Sequence, residues 1–330
     1  MKIAVLHDES AYAASEFEHL TARLSDHELA TWHPGQPPPA NDFQILLGVG
    51  KIDRKLLESQ PQLELVQMTS AGYEGVDVEA ASALGIWVSF APSGETGNAI
   101  SVAEWAVLLL MASSRDLGLR SELDPGVKLE RPAQALFGKD VCIVGFGGIG
   151  RELVGRLRSF GVHFIVVDDH PERAPNDADA YAAADLKRAM SRADYVVLCI
   201  PATPANENLI DAAALGSMKR GAILINVSRG TLVDEPALIA ALKSGRIRAV
   251  GLDVLRNEPP SVSDPLVNAP HSFVTPHMAG GTDVSIEGTA RYVGSVIDEF
   301  ANGWSWNSLL NDPPKPRRPL HHRAATAQPV

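Results

Sequence analysis

The sequence predicts an α/β protein built on parallel sheets. Three observations carry that reading. Short apolar runs alternate with helix-like stretches over residues 1–91, a second alternating series runs from Lys139 to about Pro276, and a glycine-rich turn joins the first strand of that second series to its first helix. Strands that alternate with helices form βαβ units, whose crossovers return the chain to pair in parallel.

In the first series the candidate strands are Lys2–Leu6, Phe43–Leu47, Leu63–Met68 and Ile86–Phe90. The apolar run at the N-terminus is too short for a signal peptide and reads as the first strand. Pro34–Pro39, with three consecutive prolines, reads as a loop. A long helix is predicted over Asn98–Gly118. Ser101-Val102-Ala103-Glu104 has the pattern of a capping box, with Ser101 at the cap and Glu104 reaching back to its amide. The residues that follow are apolar on nearly every face, so this helix should be buried. Residues 119–138 read as an irregular connection. A further helix is predicted over Gly281–Gly303, where Ile286, Ala290, Val293, Ile297 and Phe300 recur at steps of three and four and form one apolar stripe. Thr282 can cap it and Gly303 can end it. Beyond Asp312 the chain is rich in Pro, Arg and His and is expected to be disordered.

Composition narrows the function classes. A chain of 330 residues has room for two domains with sizeable cores. The formal net charge of -11 argues against a nucleic-acid surface and against docking on anionic lipid. Cys142 and Cys199 sit inside apolar runs and read as small core residues, so neither a disulfide framework nor a metal site is predicted. The longest apolar stretch, Trp105 to Ala112, falls short of bilayer thickness. A cytoplasmic protein is expected.

The second series opens on a turn with specific chemistry. The strand Asp140–Val144 runs into Gly145-Phe146-Gly147-Gly148-Ile149-Gly150, a helix follows over Arg151–Phe160, and a second strand, His163–Val167, ends at Asp168. Gly145 permits the tight turn, Gly147 lets the backbone approach a pyrophosphate, and Gly150 lets helix and strand pack closely. The helix N-terminus offers free amides and partial positive charge to the phosphates. Asp168 lies eighteen residues past Gly150, where a carboxylate can bond both ribose hydroxyls. A lone glycine pattern is weak evidence; strand, glycines, helix, strand and acid in order are much stronger. The pattern predicts a bound dinucleotide, and Asp168 favours NAD over NADP because its charge repels a 2′-phosphate. Arg173 could soften that preference. A Rossmann-like domain that binds S-adenosylmethionine or nothing is the competing reading.

The order of motifs along the chain resembles the D-isomer-specific 2-hydroxyacid dehydrogenase family, including its glyoxylate/hydroxypyruvate reductases. The resemblance covers roughly residues 40 to 311. It rests on Ser70-Ala71-Gly72-Tyr73-Glu74-Gly75-Val76-Asp77, Ser101-Val102-Ala103-Glu104, the glycine turn, Asn226-Val227-Ser228-Arg229-Gly230, Gly251-Leu252-Asp253-Val254 with Glu258-Pro259, and Thr275-Pro276-His277. It implies two Rossmann-like domains with doubly wound parallel sheets, joined by two crossover helices. Residues 1–98 with 282–312 would form the substrate domain, 99–281 the NAD-binding domain, and 313–330 the tail. It also implies a homodimer.

Reducing a 2-keto acid needs a group to bind the carboxylate, a group to polarise the carbonyl and a proton donor for the new alkoxide. The resemblance assigns these tasks to Arg229, Glu258 and His277. Arg229 follows the apolar strand Ala222–Val227, at the end where open α/β sheets place ligands. Its guanidinium can grip a carboxylate with two parallel bonds, although a strand-end arginine can equally serve a structural ion pair. Pro276 stiffens the approach to His277, a suitable proton donor in reduction and base in oxidation. The resemblance has Glu258 bonding the far imidazole nitrogen, which would orient the ring and favour its charged form; the competing reading is a solvated glutamate. The resemblance places Asp253 at the nicotinamide carboxamide, with Pro201, Thr203, Val227 and Ser228 along the cofactor; a strand-end aspartate can also simply cap a turn. Ala71 and Gly72 are expected to present backbone amides to the substrate carboxylate, a close approach that small residues allow.

Some family members carry a basic side chain where Ala71 stands, and its absence weighs against phosphoglycerate and phosphite; no C-terminal regulatory domain is expected. Glu258, in place of glutamine, weighs against formate. Trp105 stands where the family commonly has histidine, a change expected to affect packing. The expected activity is therefore NAD-dependent interconversion of a small 2-keto acid and its D-2-hydroxy acid. A non-catalytic, corepressor-like NAD-sensing module is the second reading. The particular acid and the direction are not legible in the sequence.

Overall fold

The computed structural model describes residues 1–6, 10–33, 35–117 and 132–321. The chain divides into two compact units, Met1–Asn98 with Gly281–Val330, and Ala99–Gly280.

The first unit begins β1 (Lys2–Leu6), α1 (Ala11–Arg23), β2 (Glu28–Trp32), β3 (Ile45–Gly48), α2 (Arg54–Glu58), β4 (Leu65–Met68), α3 (Val78–Ala83) and β5 (Trp87–Ser89). Its five strands are all parallel, in the order β2-β1-β3-β4-β5. Every residue of β3, β4 and β5 is buried, as expected of strands covered on both faces. Three short polar side chains start the helices: Ser10, Asp53 and Asp77 accept from the amides of Ala13, Leu56 and Ala80. Strand β2 has no counterpart in the sequence reading. It lies at the sheet edge with Glu28 and Thr31 exposed, so it lacks the continuous apolar run of its neighbours.

The second unit follows with α4 (Asn98–Ser114), β6 (Asp140–Val144), α5 (Gly148–Leu157), β7 (His163–Asp168), β8 (Ala178–Ala182), α6 (Leu186–Met190), β9 (Tyr195–Leu198), α7 (Ala212–Ser217), β10 (Ala222–Asn226), α8 (Glu235–Lys243), β11 (Ile247–Leu252) and β12 (Ser272–Val274). Its seven strands are again all parallel, in the order β12-β11-β10-β9-β6-β7-β8. Two core layers flank this sheet, one containing Ala106, Leu109 and Leu110 of α4. Burying a side chain such as Leu109 stabilises by roughly 1.5–3 kcal/mol. The helix sits close because Gly251 has no side chain: a Cβ there would lie 2.9 Å from Leu109 Cβ and from Ser113 Oγ.

The capping box expected at Ser101 does not form. α4 already starts at Asn98, and Ser101 is an interior, buried residue. Ala99 and Val102 are buried too, so packing extends the helix upstream of the local polar signal. Glu104 is exposed and pairs with Arg156 Nη2 at 3.2 Å. The predicted end at Gly118 and most of the 119–138 connection lie outside the described residues. Edge strand β8 is, like β2, missing from the sequence reading; its Ala-Asp-Ala-Tyr-Ala run has two exposed and no fully buried residues.

The chain returns to the first unit through α9 (Asp283–Ala301), where Thr282 Oγ1 accepts from Ser285 N and Gly303 turns at φ +76°. The segment expected to be disordered is ordered over residues 313–321. Hydrogen bonds join the packing of Leu320 on the core of the first unit in ordering it. The guanidinium of Arg317 donates to the carbonyls of Gln60, Leu63 and Leu84, its amide donates to Gly85 O, and Arg318 O accepts from the Trp87 indole. Residues 322–330 lie outside the described part. Among the described residues no helix is long and apolar enough to cross a membrane.

Candidate active site

Because all strands of the second unit are parallel, their C-terminal ends share one edge of the sheet. The chain order reverses between β6 and β9, which makes the loops after these two strands the walls of a crevice. The predicted residues of this unit lie at this edge, in the loops after the strands or in the first turn of α5, with Asp168 closing β7.

The glycine turn follows β6. Gly145 has φ +100°, and a Cβ on it would lie 2.6 Å from Ile200 Cγ2 and 2.7 Å from Cys199 O. Gly150 is equally constrained: a Cβ there would lie 2.1 Å from Gly145 O. Gly147 differs. Nothing in the chain comes within 4 Å of the position its Cβ would take, and no side chain caps the helix it starts. The chain thus leaves room at Gly147, beside the first turn of α5 with Gly148 and Ile149, where the uncapped helix start suits an anionic diphosphate. Asp168, closing β7, accepts from Phe146 N at 2.7 Å and from His170 N at 2.9 Å, so its carboxylate also pins the glycine turn.

Across the crevice, Pro201 and Thr203 are exposed. Their loop is held by Asn206, whose amide donates to Pro201 O and whose Oδ1 accepts from Thr203 N. After β10, Asn226 organises the turn: Oδ1 accepts from Ser228 N, and Nδ2 donates to Arg229 O. Val227 and Ser228 are buried, and Ser228 Oγ donates to Leu198 O at 2.8 Å, which ties the ends of β10 and β9 together. Arg229 emerges half-buried, with Nη1 donating to Ser228 O at 2.8 Å.

His277 and Glu258 are brought together from separate loops. His277 Nδ1 lies 2.7 Å from Glu258 Oε2, and Glu258 Oε1 accepts from Leu255 N at 2.9 Å. An ionised carboxylate only accepts, so Nδ1 carries the hydrogen and Nε2 is left to gain or lose a proton. The Glu258 bond holds the His277 pKa above its ordinary value; burial opposes this, the charges of Glu258 and Asp253 add to it, and the charge of Arg229 subtracts. For Glu258 burial is the largest influence and acts upward. The His277 bond and charge, the Leu255 amide and Arg229 together outweigh it and hold the carboxyl low. Arg229 thus acts electrostatically on both members of the pair.

Asp253, expected beside the cofactor, also has a structural task. It is 1 % exposed, and both oxygens are engaged within the chain: Oδ1 accepts from Thr275 Oγ1 at 2.6 Å and Met278 N at 3.0 Å, and Oδ2 from Ala279 N at 3.0 Å. It caps the turn that carries His277. Trp105 joins this turn by donating to Thr275 Oγ1 at 3.1 Å. Arg256, next to the Glu258 loop, donates from its amide to Glu235 Oε1 and from its guanidinium to Glu207. Asn226, Thr275 and Arg256 thus hold the loops of the site, roles that are not predicted from the sequence. Asn226 carries a signal in hindsight, a polar residue ending an otherwise apolar strand. Ala71 and Gly72 belong to the first unit, in the turn after β4, where Ser70 Oγ donates to Gly72 O at 2.7 Å and Ala71 is exposed.

A family profile described as "D-isomer specific 2-hydroxyacid dehydrogenase, NAD binding domain" matches residues 108–279. A D-3-phosphoglycerate dehydrogenase of Mycobacterium leprae is 37% identical over 80% of this chain and 52% of its own length. A glyoxylate reductase of Thermococcus litoralis is 31% identical over 86% of this chain and 91% of its own. The chain spans about half the length of the phosphoglycerate dehydrogenases it matches. Among solved structures, the NADPH-dependent glyoxylate/hydroxypyruvate reductase of Sinorhizobium meliloti, in complex with NADP and malonate, covers 97% of this chain and 99% of its own, at 27% identity and a TM-score of 0.80.

Proposed function

The chain belongs to the D-isomer-specific 2-hydroxyacid dehydrogenase family, and from that premise we propose that it reduces a small 2-keto acid to the D-2-hydroxy acid, or runs the reverse reaction, with NAD as cofactor. The observation that carries this reading is the 2.7 Å pairing of His277 with Glu258, with the charge of Arg229 acting on both.

When bound, the reduced nicotinamide supplies the hydride. Arg229 grips the substrate carboxylate and polarises the adjacent carbonyl. His277, charged and held by Glu258, donates its Nε2 proton to the oxygen that becomes the hydroxyl; in oxidation the neutral ring takes that proton back. The amides at the start of α5 hold the diphosphate, and Asp168 takes the ribose and selects NAD over NADP. Pro201, Thr203 and the Val227–Ser228 turn border the cofactor, while Asp253 holds the His277 turn. In this reading the unit containing residues 99–280 serves the cofactor, and Ala71, exposed, and Gly72, half-buried, have backbone suited to binding a carboxylate. The neutral Ala71 gives a phosphate no cation there, which favours an unphosphorylated acid. We read the working form as a cytoplasmic homodimer.

The relatives reported above are dehydrogenases and reductases, which favours catalysis over the NAD-sensing reading. Absorbance of NADH mixed with the purified protein and glyoxylate, hydroxypyruvate, pyruvate or phenylpyruvate tests the proposal. Oxidation of NADH with at least one acid is expected. Tight NADH binding without turnover of any of them would return the sensing module to favour.

A further inference from the structure

We infer that Trp105 is a positioning residue for His277, acting through Thr275 and Asp253. The inference rests on His277 being the proton donor, and it deepens that reading by tying the donor to the long buried helix α4.

The direction of the hydrogen-bond chain is unambiguous. An indole nitrogen only donates, so Thr275 Oγ1 accepts from Trp105 at 3.1 Å. The hydroxyl's own proton is thereby directed to Asp253 Oδ1, 2.6 Å away. Asp253 then holds three successive residues: its carbonyl accepts from His277 N at 2.8 Å, and its carboxylate from Met278 N and Ala279 N, each at 3.0 Å. Such a clamp is needed because His277 sits at φ +51°. A residue with a Cβ rarely adopts that region, and strained backbone persists only where its surroundings over-determine it. Asp253 is buried, so a carboxylate oxygen left without the Thr275 hydroxyl carries the cost of an unmade bond. Loss of the indole N–H frees the hydroxyl and loosens the turn. The imidazole then drifts from Glu258, whose bond holds it charged; the other charged groups acting on the ring are Arg229 and Asp253. A general acid displaced by about 1 Å can lose as much as ~10²-fold in rate.

The test compares Trp105→Phe, Trp105→His, Thr275→Val and the Trp105→Phe/Thr275→Val double variant. Trp105→Phe is expected to lower kcat about tenfold while KM for NADH stays within about twofold. The His277 ring, titrated by NMR, is expected to shift to lower pH. Trp105→His, which restores an N–H, is expected to recover most of kcat and the titration. The double variant should be no slower than Thr275→Val alone, because both changes cut one chain. Wild-type kcat and titration in Trp105→Phe would overturn the inference, as would single losses that multiply in the double variant. If Trp105→Phe does not fold, Thr275→Val against Thr275→Ser poses the same question. A wild-type protein that turns over no 2-keto acid would end the activity reading alone; the His277 titration would still decide the role of Trp105.

Discussion

Glu258 bonds His277 Nδ1 with one carboxylate oxygen and is itself held by the Leu255 amide through the other. The ring is therefore oriented by a group that cannot rotate freely, and its charged form is favoured over solution. In the proposed mechanism, reduction requires that charged form. Because the His277 pKa is raised, the reductive rate should persist through neutral pH and fall only as pH climbs above the ordinary histidine value of 6.5; oxidation should rise over the same range. Glu258→Gln removes the largest cause of the shift, so the alkaline limb should move to lower pH, with kcat for reduction at neutral pH lowered roughly tenfold or more. Stability carries the same signature. The His277 contribution is complete below about pH 6.5 and lost as pH rises through the raised value; that of Glu258 is complete above its ordinary 4.5 and lost as pH falls. The melting temperatures of wild type and Glu258→Gln should thus differ most between about pH 4.5 and 6.5. An unmoved alkaline limb would show that another group sets it.

His277→Asn isolates the proton from the fold. Asparagine tolerates the left-handed backbone that His277 adopts at φ +51° and so keeps the turn, yet it cannot titrate. Reduction should fall roughly 10²–10⁴-fold, while the NADH dissociation constant, read by fluorescence titration, stays within about twofold. Near-normal turnover would remove His277 from the chemistry.

Legibility in the sequence followed the physics of each feature. The glycine turn was readable because the steric demands at Gly145 and Gly150 admit no other residue, and Asp168 because its distance along the chain is set by one helix and one strand. Edge strands β2 and β8 were not, because a strand with one open flank needs no unbroken apolar run. The order of residues 313–321 was hidden for a related reason: Arg317 secures that segment through backbone carbonyls, which composition does not reveal. Ser101 misled because a local polar pattern was overridden by the burial of Ala99 and Val102. The pairing of Glu258 with His277 could be named only by resemblance, since the two stand nineteen positions apart across loop and strand. Trp105 reads as a packing change because its partner, Thr275, lies 170 residues away.

Asp168 should govern the choice between NADH and NADPH. Its carboxylate already accepts from Phe146 and His170, so truncation to alanine would also release the glycine turn. Asp168→Asn keeps the shape and one acceptor while removing the charge. Two like charges about 4 Å apart repel by ~4 kcal/mol at an effective dielectric of ~20. Relief of only a third of that shifts the ratio of NADH to NADPH kcat/KM about tenfold toward NADPH. An unchanged ratio in Asp168→Asn would mean that cofactor choice resides elsewhere.

Gly147 separates what the fold needs from what the cofactor needs. A methyl group at Gly145 or Gly150 collides with the chain itself, whereas at Gly147 it meets nothing within 4 Å, and the backbone there, at φ -76°, suits any residue. Gly147→Ala should therefore leave stability within about 0.5 kcal/mol of wild type, the range usual for substitutions that disturb no packing. The same methyl would occupy the space through which the diphosphate approaches the α5 amides. The KM for NADH should rise at least about tenfold, with the urea midpoint unchanged. Gly147→Ala that binds NADH like wild type would place the diphosphate away from this turn; a variant that melts early would mean that the space is filled by the chain and not kept for a ligand.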